Sequence, residues 1–204
     1  KDLEKDMGIT FLKRNLLVTY HPLTLASKEE TEFEVLELTK ALSRIEDTLQ
    51  IFTMPNADPG NQRIREIINS YVNNNDFAIV YKSLGQLRYL SCMSQVDAVV
   101  GNSSSGILEA PSFNIGTINI GDRQKGRLTA KSVINVRADA DSICSSVSMV
   151  YTNEFRKSLK DNCNPYGKGD AVKKISSILM DLDMKSLLRK KFFDIDFHLQ
   201  PHYF

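Results

Sequence analysis

Strand and helix patterns alternate along the 204 residues, and this alternation is the feature that most limits the fold. Short apolar runs rich in β-branched residues predict strands. They lie at 16–20, 50–54, 77–81, 97–102, 117–121 and 133–137. Apolar residues three and four positions apart predict helices at 28–49, 64–72, 85–95, 140–160 and 172–182. Strands joined through helices form parallel sheets with right-handed crossovers. The sequence therefore predicts an α/β fold with a doubly wound parallel sheet of about six strands.

The composition is that of an ordinary globular domain, with 42% hydrophobic and 25% charged residues. Lysine and arginine number 26 against 25 aspartate and glutamate, so the net charge is +1. Proteins that coat nucleic acid or an anionic membrane usually carry a large basic surplus, so neither partner is predicted. No apolar run approaches the ~18–20 residues that span a bilayer. The charged segment 1–11 is not a signal peptide.

The three cysteines, Cys92, Cys144 and Cys163, have no CxxC spacing and no neighbouring histidine. This pattern indicates reduced thiols in a cytoplasmic protein and supports neither a metal site nor a disulfide framework. No GxGxxG follows a predicted strand, so a nicotinamide or flavin cofactor is not supported either. The chain begins without methionine, which suggests a piece of a longer protein.

Polar residues cluster where the predicted strands end. In a doubly wound parallel sheet, ligands bind beyond the carboxyl ends of the strands, where loops lead into helix N-termini. Functional chemistry is therefore expected at the residues that follow the strands, which are His21, Asn56, 82–84, 101–106 and 122–127.

The run GNSSSG at 101–106 combines a strand end, two glycines, three serines and a following helix. Backbone N–H groups and the positive end of a helix favour an anion, and serine hydroxyls add neutral donors. One interpretation is a cradle for a diphosphate, and the other is an ordinary serine-rich helix cap. Glu109 follows Ser104 by five residues, about 7–8 Å along a helix. Its carboxylate is either a partner for both hydroxyls of a ribose or a solvated helix side chain.

The loop 122–127 carries three cations and one anion directly after a predicted strand. The stretch 121–126 imitates a phosphate-binding P-loop, but Arg127 and Leu128 replace its lysine and hydroxyl residue, so a P-loop NTPase is rejected. One interpretation is that Arg123 or Arg127 meets a phosphate or carboxylate. The other is a solvated charged turn.

His21 follows the first predicted strand and precedes Pro22, which fixes the turn. It is a candidate donor to a phosphate, or an acid or base at a reacting centre. The alternative is a polar loop histidine without a chemical role. His198 and His202 lie in a phenylalanine-rich tail, and their pattern does not support a metal pair.

Four motifs, in this order, resemble the UDP-N-acetylglucosamine 2-epimerase family. They are TYHPLTL at 19–25, MPNADPG at 54–60, GNSSSGILEAP at 101–111 and INIGDRQKGR at 118–127. The resemblance covers residues 15–193 and is specific as a combination, whereas each motif alone is weak. The His-Pro pair and the Asn-Ser-Ser loop are similar to the hydrolysing branch, as is KKFFD near the C-terminus. The non-hydrolysing branch usually has a His-Arg-Arg run and an Asp-Ser-Gly-Gly loop.

The resemblance implies a Rossmann-like domain that is one half of a GT-B architecture, with substrate in the cleft between two such domains. It divides the chain into the end of an interdomain linker at 1–14, a C-terminal UDP-binding domain at 15–170, and a closing helix and tail at 171–204. The N-terminal domain, which this chain lacks, is expected to carry the acidic residues that abstract the proton at C2. The full-length protein is expected to be a homo-oligomer.

Phosphate and ribose contacts follow from the same resemblance. Ser103 and Ser104 are expected to hold the diphosphate, and Glu109 the ribose. Arg123 is expected near the phosphates. The strand at 117–121 follows the helix after GNSSSG, so we expect it beside the strand at 97–102, with its loop on the same edge of the sheet. Arg123 would then be close enough to reach back.

The remaining contacts implied by the resemblance concern the cleft. Asn56 and His21 are expected to line it, and the backbone near Leu84 to meet the uracil. His21 is the residue of this chain that we expect to be near-catalytic.

The implied reaction converts a UDP-linked 2-acetamido sugar and water into the free 2-epimer and UDP, and it requires no cofactor or metal. A proton leaves C2, UDP is eliminated to give a glycal-like intermediate, and water adds back. Charge develops on the departing diphosphate, so this domain would stabilise the leaving group. The sugar is N-acetylglucosamine or a 2,4-diacetamido-trideoxy analogue, and the residues do not choose between them.

Three other functions fit the same residues. A non-hydrolysing epimerase would release a UDP-sugar instead of a free sugar. A GT-B glycosyltransferase would transfer the sugar to an acceptor. A nucleotide-sugar sensor would bind the ligand without turnover.

Overall fold

The computed structural model describes residues 2–23, 27–55, 61–167 and 169–183. The strands are β1 Asn15–Thr19, β2 Leu49–Thr53, β3 Ala78–Tyr81, β4 Ala98–Gly101, β5 Gly116–Ile120 and β6 Val133–Val136. They form one parallel sheet in the order β3-β2-β1-β4-β5-β6. The strand order reverses between β1 and β4, which makes this the switch point where such sheets bind ligands. The predicted α/β fold with six parallel strands is confirmed.

Helices lie between all consecutive strands except β5 and β6, which a loop joins, and short 3₁₀ segments follow two of the helices. In the described residues the helices are α1 Asp2–Met7, α2 Lys28–Leu42, α3 Asn61–Asn73, α4 Gly85–Met93, α5 Ser105–Leu108, α6 Ala140–Val150, α7 Asn153–Ser158 and α8 Ala171–Asp181. The 3₁₀ segments are Ala110–Phe113 and Leu159–Asp161.

The central strand β1 is buried along its whole length. Leu16 and Val18 pack into the apolar cluster on one face of the sheet, with residues of α2, α3 and α6. Leu17 packs into the cluster on the other face, with residues of α4. Alternate side chains of a strand point to opposite faces, so a run that is apolar at every position requires helices on both faces. Each fully buried leucine contributes roughly 1.5–3 kcal/mol.

Helix α2 begins at a capping box and ends earlier than the apolar spacing predicts. The helix ends at Leu42, so the prediction of a helix as far as Leu49 is wrong. Leu49 begins β2 instead, and its N–H donates to the carbonyl of Arg14 at 2.9 Å. The buried Gln50 donates from Nε2 to the carbonyl of Leu42 at 3.1 Å, which satisfies the helix end. Ile45 and Leu49 continue the helical spacing only by coincidence.

The helix predicted over 140–160 is also wrong as a single element, because it is broken after α6. Thr152 has an extended backbone, with φ −72° and ψ 151°, and caps α7. Its hydroxyl accepts from the N–H of Phe155 at 3.2 Å. A threonine in this geometry starts a new helix rather than continuing the old one.

The chain divides into two compact units, residues 1–166 and 167–204. The sheet and the helices α1 to α7 belong to the first unit. In the second unit the structure describes α8, whose apolar side chains Val172, Ile175 and Ile178 are exposed. The segment KKFFD lies outside the described residues. Within the described residues, no helix has both the length and the apolar character that a membrane crossing requires.

Candidate functional site

The ends of β1 and β4 approach each other closely at the switch point of the sheet. Thr19 and Gly101 are partners in the parallel register. Gly101 has φ +132°, and a Cβ atom at this residue would lie 2.0 Å from the carbonyl oxygen of Thr19. Only glycine fits both the backbone conformation and the space. This contact brings the segment after β1 against the segment after β4.

Asn102, directly after β4, joins these two segments. The side chain is fully buried. Its Oδ1 accepts from the N–H of His21 at 2.8 Å, and its Nδ2 donates to the carbonyl of the same residue at 2.8 Å. An amide that both donates and accepts in this way substitutes for a backbone partner. Asn102 therefore holds the backbone of His21 in place beyond the last pair of the β1–β4 ladder.

The carbonyl of Asn102 also anchors the loop that follows β5. Arg123 donates to it from Nη1 at 3.1 Å, and Gln124 donates from Nε2 at 2.8 Å. As predicted from the order of the elements, β5 lies beside β4, and Arg123 reaches back across the edge. The loops after β1, β4 and β5 thus meet at one residue.

The serines of GNSSSG begin α5, which is one turn long. No described group accepts a hydrogen bond from the backbone N–H of Ser103 or Ser104. The hydroxyl of Ser103 accepts from that of Ser105 at 3.1 Å, and Ser105 shares a hydrogen bond with the Tyr89 hydroxyl at 2.6 Å. Ser104 makes no side-chain bond at the helix cap. Two N–H groups and one hydroxyl at the start of α5 therefore have no partner in the described part of the chain.

Glu109 is placed differently from the expectation of a continuous helix. The helix after Ser104 ends at Leu108, and Glu109 is its C-terminal cap, bonded through its N–H to the carbonyl of Ser105 at 2.9 Å. Its side chain is exposed, yet the surrounding protein removes enough water to raise the pKa of its carboxyl above the usual value. Glu109 therefore lies at the opposite end of the four-residue helix α5 from Ser104.

The buried Tyr20 and the half-buried Glu34 form a hydrogen-bonded pair beside His21. Tyr20 is 1% exposed, and its hydroxyl donates to the carboxylate of Glu34 on α2. Burial, and then the adjacent Glu34, raise the pKa of Tyr20 far above its usual range, so the phenol stays protonated and donates. His21 follows directly and is itself 7% exposed. The residue expected to be near-catalytic thus directly follows a buried, hydrogen-bonded tyrosine.

The two remaining predicted residues differ in what the structure shows. Leu84 precedes α4, and its side chain is buried in the apolar cluster under the sheet. The neighbouring residues Lys82, Ser83 and Gly85 are exposed, so their backbone is accessible, and the uracil contact near Leu84 stays a prediction. Asn56 lies outside the described residues.

The electrostatics of the edge favour an anion. Arg123 is half-buried and makes no ion pair with a carboxylate of the described residues. Lys125, by contrast, pairs with Asp122 at 3.6 Å. Within the described part of the chain, no three histidine, cysteine, aspartate or glutamate side chains are grouped as metal ligands.

Sequence reasoning missed the residues that hold the site together. Asn102 and Gln124 lie inside two of the motifs, but neither motif indicates their role, and no pattern predicts the Tyr20–Glu34 pair. For Asn102 a signal existed, because an asparagine directly after a buried strand can satisfy the open backbone of the neighbouring strand. The other contacts join residues far apart in sequence, and no local pattern marks them.

Comparison with known proteins places the chain among nucleotide-sugar epimerases. Residues 1–180 match the family described as UDP-N-acetylglucosamine 2-epimerase. The chain is 39% identical over 197 residues to GDP/UDP-N,N'-diacetylbacillosamine 2-epimerase (hydrolyzing) of Campylobacter jejuni. It is 33% identical over 197 residues to polysialic acid biosynthesis protein P7 of Escherichia coli. It is 31% identical over 180 residues to UDP-N,N'-diacetylbacillosamine 2-epimerase (hydrolyzing) of Legionella pneumophila.

These relatives are longer than the chain. The three alignments cover 96%, 96% and 88% of this chain, in the order given above. They cover only 50%, 50% and 46% of the respective relatives. The chain therefore spans about half the length of the curated relatives it matches.

Solved structures give the same picture of the fold. UDP-GlcNAc 2-epimerase from Neisseria meningitidis, bound to UDP-GlcNAc, matches with a TM-score of 0.65 and 18% identity over 89% of this chain and 48% of that one. The Methanocaldococcus jannaschii enzyme in complex with UDP-GlcNAc and UDP matches with a TM-score of 0.66 and 15% identity, over 88% and 48%. ADP-heptose lps heptosyltransferase II of E. coli matches with a TM-score of 0.54 and 10% identity, over 73% of this chain and 50% of that one. The prediction of a Rossmann-like half of a GT-B architecture is confirmed.

Proposed function

The chain belongs to the UDP-N-acetylglucosamine 2-epimerase family, and from this premise we propose that it is the UDP-binding half of a hydrolysing UDP-sugar 2-epimerase. The full-length enzyme would convert UDP-GlcNAc and water into ManNAc and UDP, or carry out the same reaction on a 2,4-diacetamido-trideoxy analogue. Both free sugars are of the type used to build sialic acids. Two of the relatives are named as hydrolysing 2-epimerases, which supports this branch over the non-hydrolysing one.

One observation carries the proposal: Arg123 donates to the carbonyl of Asn102, directly before Ser103 and Ser104. This bond holds a cation beside two backbone N–H groups that have no partner in the described residues. A diphosphate needs both kinds of group, because N–H donors fix its oxygens and a guanidinium neutralises their charge. We propose that Ser103, Ser104 and Arg123 hold the diphosphate of UDP.

The rest of UDP would extend from this point. Glu109 directly follows the four-residue helix that begins after Ser104, and its ionised carboxylate would accept from the two ribose hydroxyls. The exposed backbone beside Leu84, at the start of α4, would meet the uracil edge. Contact between Tyr89 of α4 and Ser105 of α5 at 2.6 Å supports this placement, because it brings α4 against the phosphate segment.

The chain's share of the reaction would be stabilisation of the leaving group. Abstraction of the C2 proton and cleavage of the C1–O bond give a glycal-like intermediate and UDP. Water then returns a hydroxyl to C1 and a proton to C2, so the products are the free epimer and UDP. As the C1–O bond breaks, negative charge builds on the diphosphate, where Arg123 and the N–H groups lie. His21, held at its backbone by Asn102, would line the cleft beside the departing group, and Asn56 would line the same cleft.

The proton chemistry would belong to a second domain. We propose an N-terminal domain of the same protein as the partner of this chain, since the relatives are about twice as long. The exposed apolar face of α8 with Val172, Ile175 and Ile178 is suited to pack on such a domain. A homo-oligomeric, cytoplasmic enzyme without a nucleic-acid or membrane partner completes the proposal.

Product analysis of the full-length protein tests the proposal. Incubation with UDP-GlcNAc, and separately with UDP-N,N'-diacetylbacillosamine, should yield UDP and a free 2-epimer of one of these sugars, identified by NMR. A UDP-linked epimer as the product would indicate the non-hydrolysing reaction. Consumption of UDP-sugar only when an acceptor is added would indicate a glycosyltransferase. Binding of UDP-sugar without any product would indicate a sensor.

A further inference from the structure

Two buried amides, Asn102 and Gln124, lie beneath the proposed phosphate site. Asn102 is 0% exposed and Gln124 is 3% exposed. Polar atoms buried to this degree have lost their water, so each one without a protein partner lowers stability. Oδ1 and Nδ2 of Asn102 and Nε2 of Gln124 each have a partner within 2.8 Å. Oε1 of Gln124 is buried and has no hydrogen-bond partner in the described part of the chain.

The bond that Gln124 does make is placed next to Arg123. Both residues donate to the carbonyl oxygen of Asn102, at 2.8 and 3.1 Å. A carbonyl oxygen has two lone pairs, so the two donors together fill its capacity. Because residues 123 and 124 are adjacent in the chain, the Gln124 bond fixes the segment of backbone from which the Arg123 side chain extends.

Stability alone does not explain the glutamine. A buried hydrogen bond contributes little net stability, and an unpartnered buried acceptor removes a similar amount. Replacement of Gln124 by a leucine of similar size would remove the hydrogen bond, but it would also remove the unpartnered Oε1, so the two effects on stability would offset each other. Residues that stabilise the fold poorly and yet are buried at a site are the ones that function explains best.

We propose that Gln124, through the carbonyl of Asn102, is a positioning residue that fixes the Arg123 guanidinium for the diphosphate of UDP. This inference rests on the proposed function. Gln124 touches neither the ligand nor the reacting atoms in this proposal. It acts on the phosphate end of UDP alone, because Arg123 is the group whose place it sets.

The test is UDP and uridine binding to Gln124→Leu, Gln124→Glu and the control Lys125→Gln, each measured by calorimetry beside the thermal unfolding midpoint. Gln124→Leu should keep the midpoint within about 3 °C and weaken UDP binding about five- to tenfold, with uridine binding unchanged. Gln124→Glu should weaken UDP binding more, because its carboxylate competes for the Arg123 guanidinium. Lys125→Gln removes an exposed charge of the same loop and should leave both affinities unchanged.

The possible failures point to different conclusions. An equal loss of UDP and uridine binding in Gln124→Leu, or no loss of either, would overturn the positioning role and leave the proposed function standing. A large fall in the midpoint of Gln124→Leu would also overturn it, because the residue would then act through stability. If the unmodified chain binds uridine and UDP equally weakly, the proposed diphosphate site is wrong, and this inference falls with it.

Discussion

Replacement of Gly101 by alanine is the sharpest test of how the candidate site is built. The added Cβ would lie 2.0 Å from the carbonyl oxygen of Thr19, whereas carbon and oxygen atoms normally approach to about 3.3–3.6 Å. The ends of β1 and β4 would have to separate by about 1.3 Å to relieve this contact. Both side-chain bonds between Asn102 and the backbone of His21, now 2.8 Å each, cross the same gap.

The expected loss of stability follows from these contacts. Separation of the strand ends would break the two Asn102 bonds and the 3.3 Å bond from the Asn102 N–H to the Thr19 carbonyl. At about 1 kcal/mol for each bond, this is about 3 kcal/mol. The positive φ of residue 101 adds about 1–2 kcal/mol for a residue with a Cβ. Gly101→Ala should therefore lower the free energy of unfolding by about 4–5 kcal/mol, a large part of the ~5–15 kcal/mol of a typical domain.

Gly126→Ala is the matched control for Gly101→Ala. Gly126 also has a positive φ, +82°, but a Cβ there would meet no atom within 4 Å. Gly126→Ala should therefore lower the free energy of unfolding only by the cost of the positive φ, about 1–2 kcal/mol. Urea unfolding followed by circular dichroism gives both values, and the difference of about 3 kcal/mol isolates the contact with Thr19. Equal losses in the two variants would refute the reasoning, because the strand ends would then have room for a side chain.

Three further predictions concern the ligand. Arg123→Ala removes a charge, so it should weaken UDP binding and flatten the dependence of UDP affinity on salt concentration. Ser104→Ala removes only a neutral donor, so it should cost less affinity and keep that salt dependence. UDP titrations at low and high salt measure both, and an unchanged salt dependence in Arg123→Ala would assign the cation to another residue. As the pH falls, uridine affinity should decrease already above the usual pKa range of glutamate, because the raised pKa of Glu109 means that its carboxylate is protonated at a higher pH. Glu109→Gln should abolish this pH dependence. A uridine affinity that does not change with pH in the unmodified chain would contradict the ribose assignment. The 204-residue chain should bind UDP but release none from a UDP-sugar, as measured by chromatography, and release would show that it carries its own base.

The sheet was predictable because its signals are local. Each strand is a short apolar run, and the order of strands and helices limits the topology once crossovers are right-handed. The same locality explains the errors. Helix α2 ends at Leu42, whose carbonyl accepts from the N–H of Ile45 and from Gln50 of β2, and a contact across eight residues leaves no mark on the apolar spacing. The break before Thr152 depends on one backbone conformation within a pattern that continues to look helical.

The site was predictable as a place but not as a network. Loops after parallel strands share an edge, so Arg123 was expected near the serines. The shared acceptor is the backbone carbonyl of Asn102. Every residue has such a carbonyl, so the sequence does not show which one will accept these bonds. The unpartnered Oε1 of Gln124 is invisible for the same reason, because it is defined by what the fold does not supply.

The shortness of α5 decides which group must carry the charge of the ligand. A long helix offers about half a positive charge at its N-terminus, against the roughly three negative charges of UDP. Four residues, Ser105–Leu108, align too few peptide dipoles to offer even that. The N–H groups of Ser103 and Ser104 can therefore orient a diphosphate but not neutralise it. Neutralisation falls to Arg123, whose guanidinium is tied to a carbonyl instead of a carboxylate within the described residues and so keeps its full charge. A cation that is held in place without being neutralised is what a departing diphosphate requires.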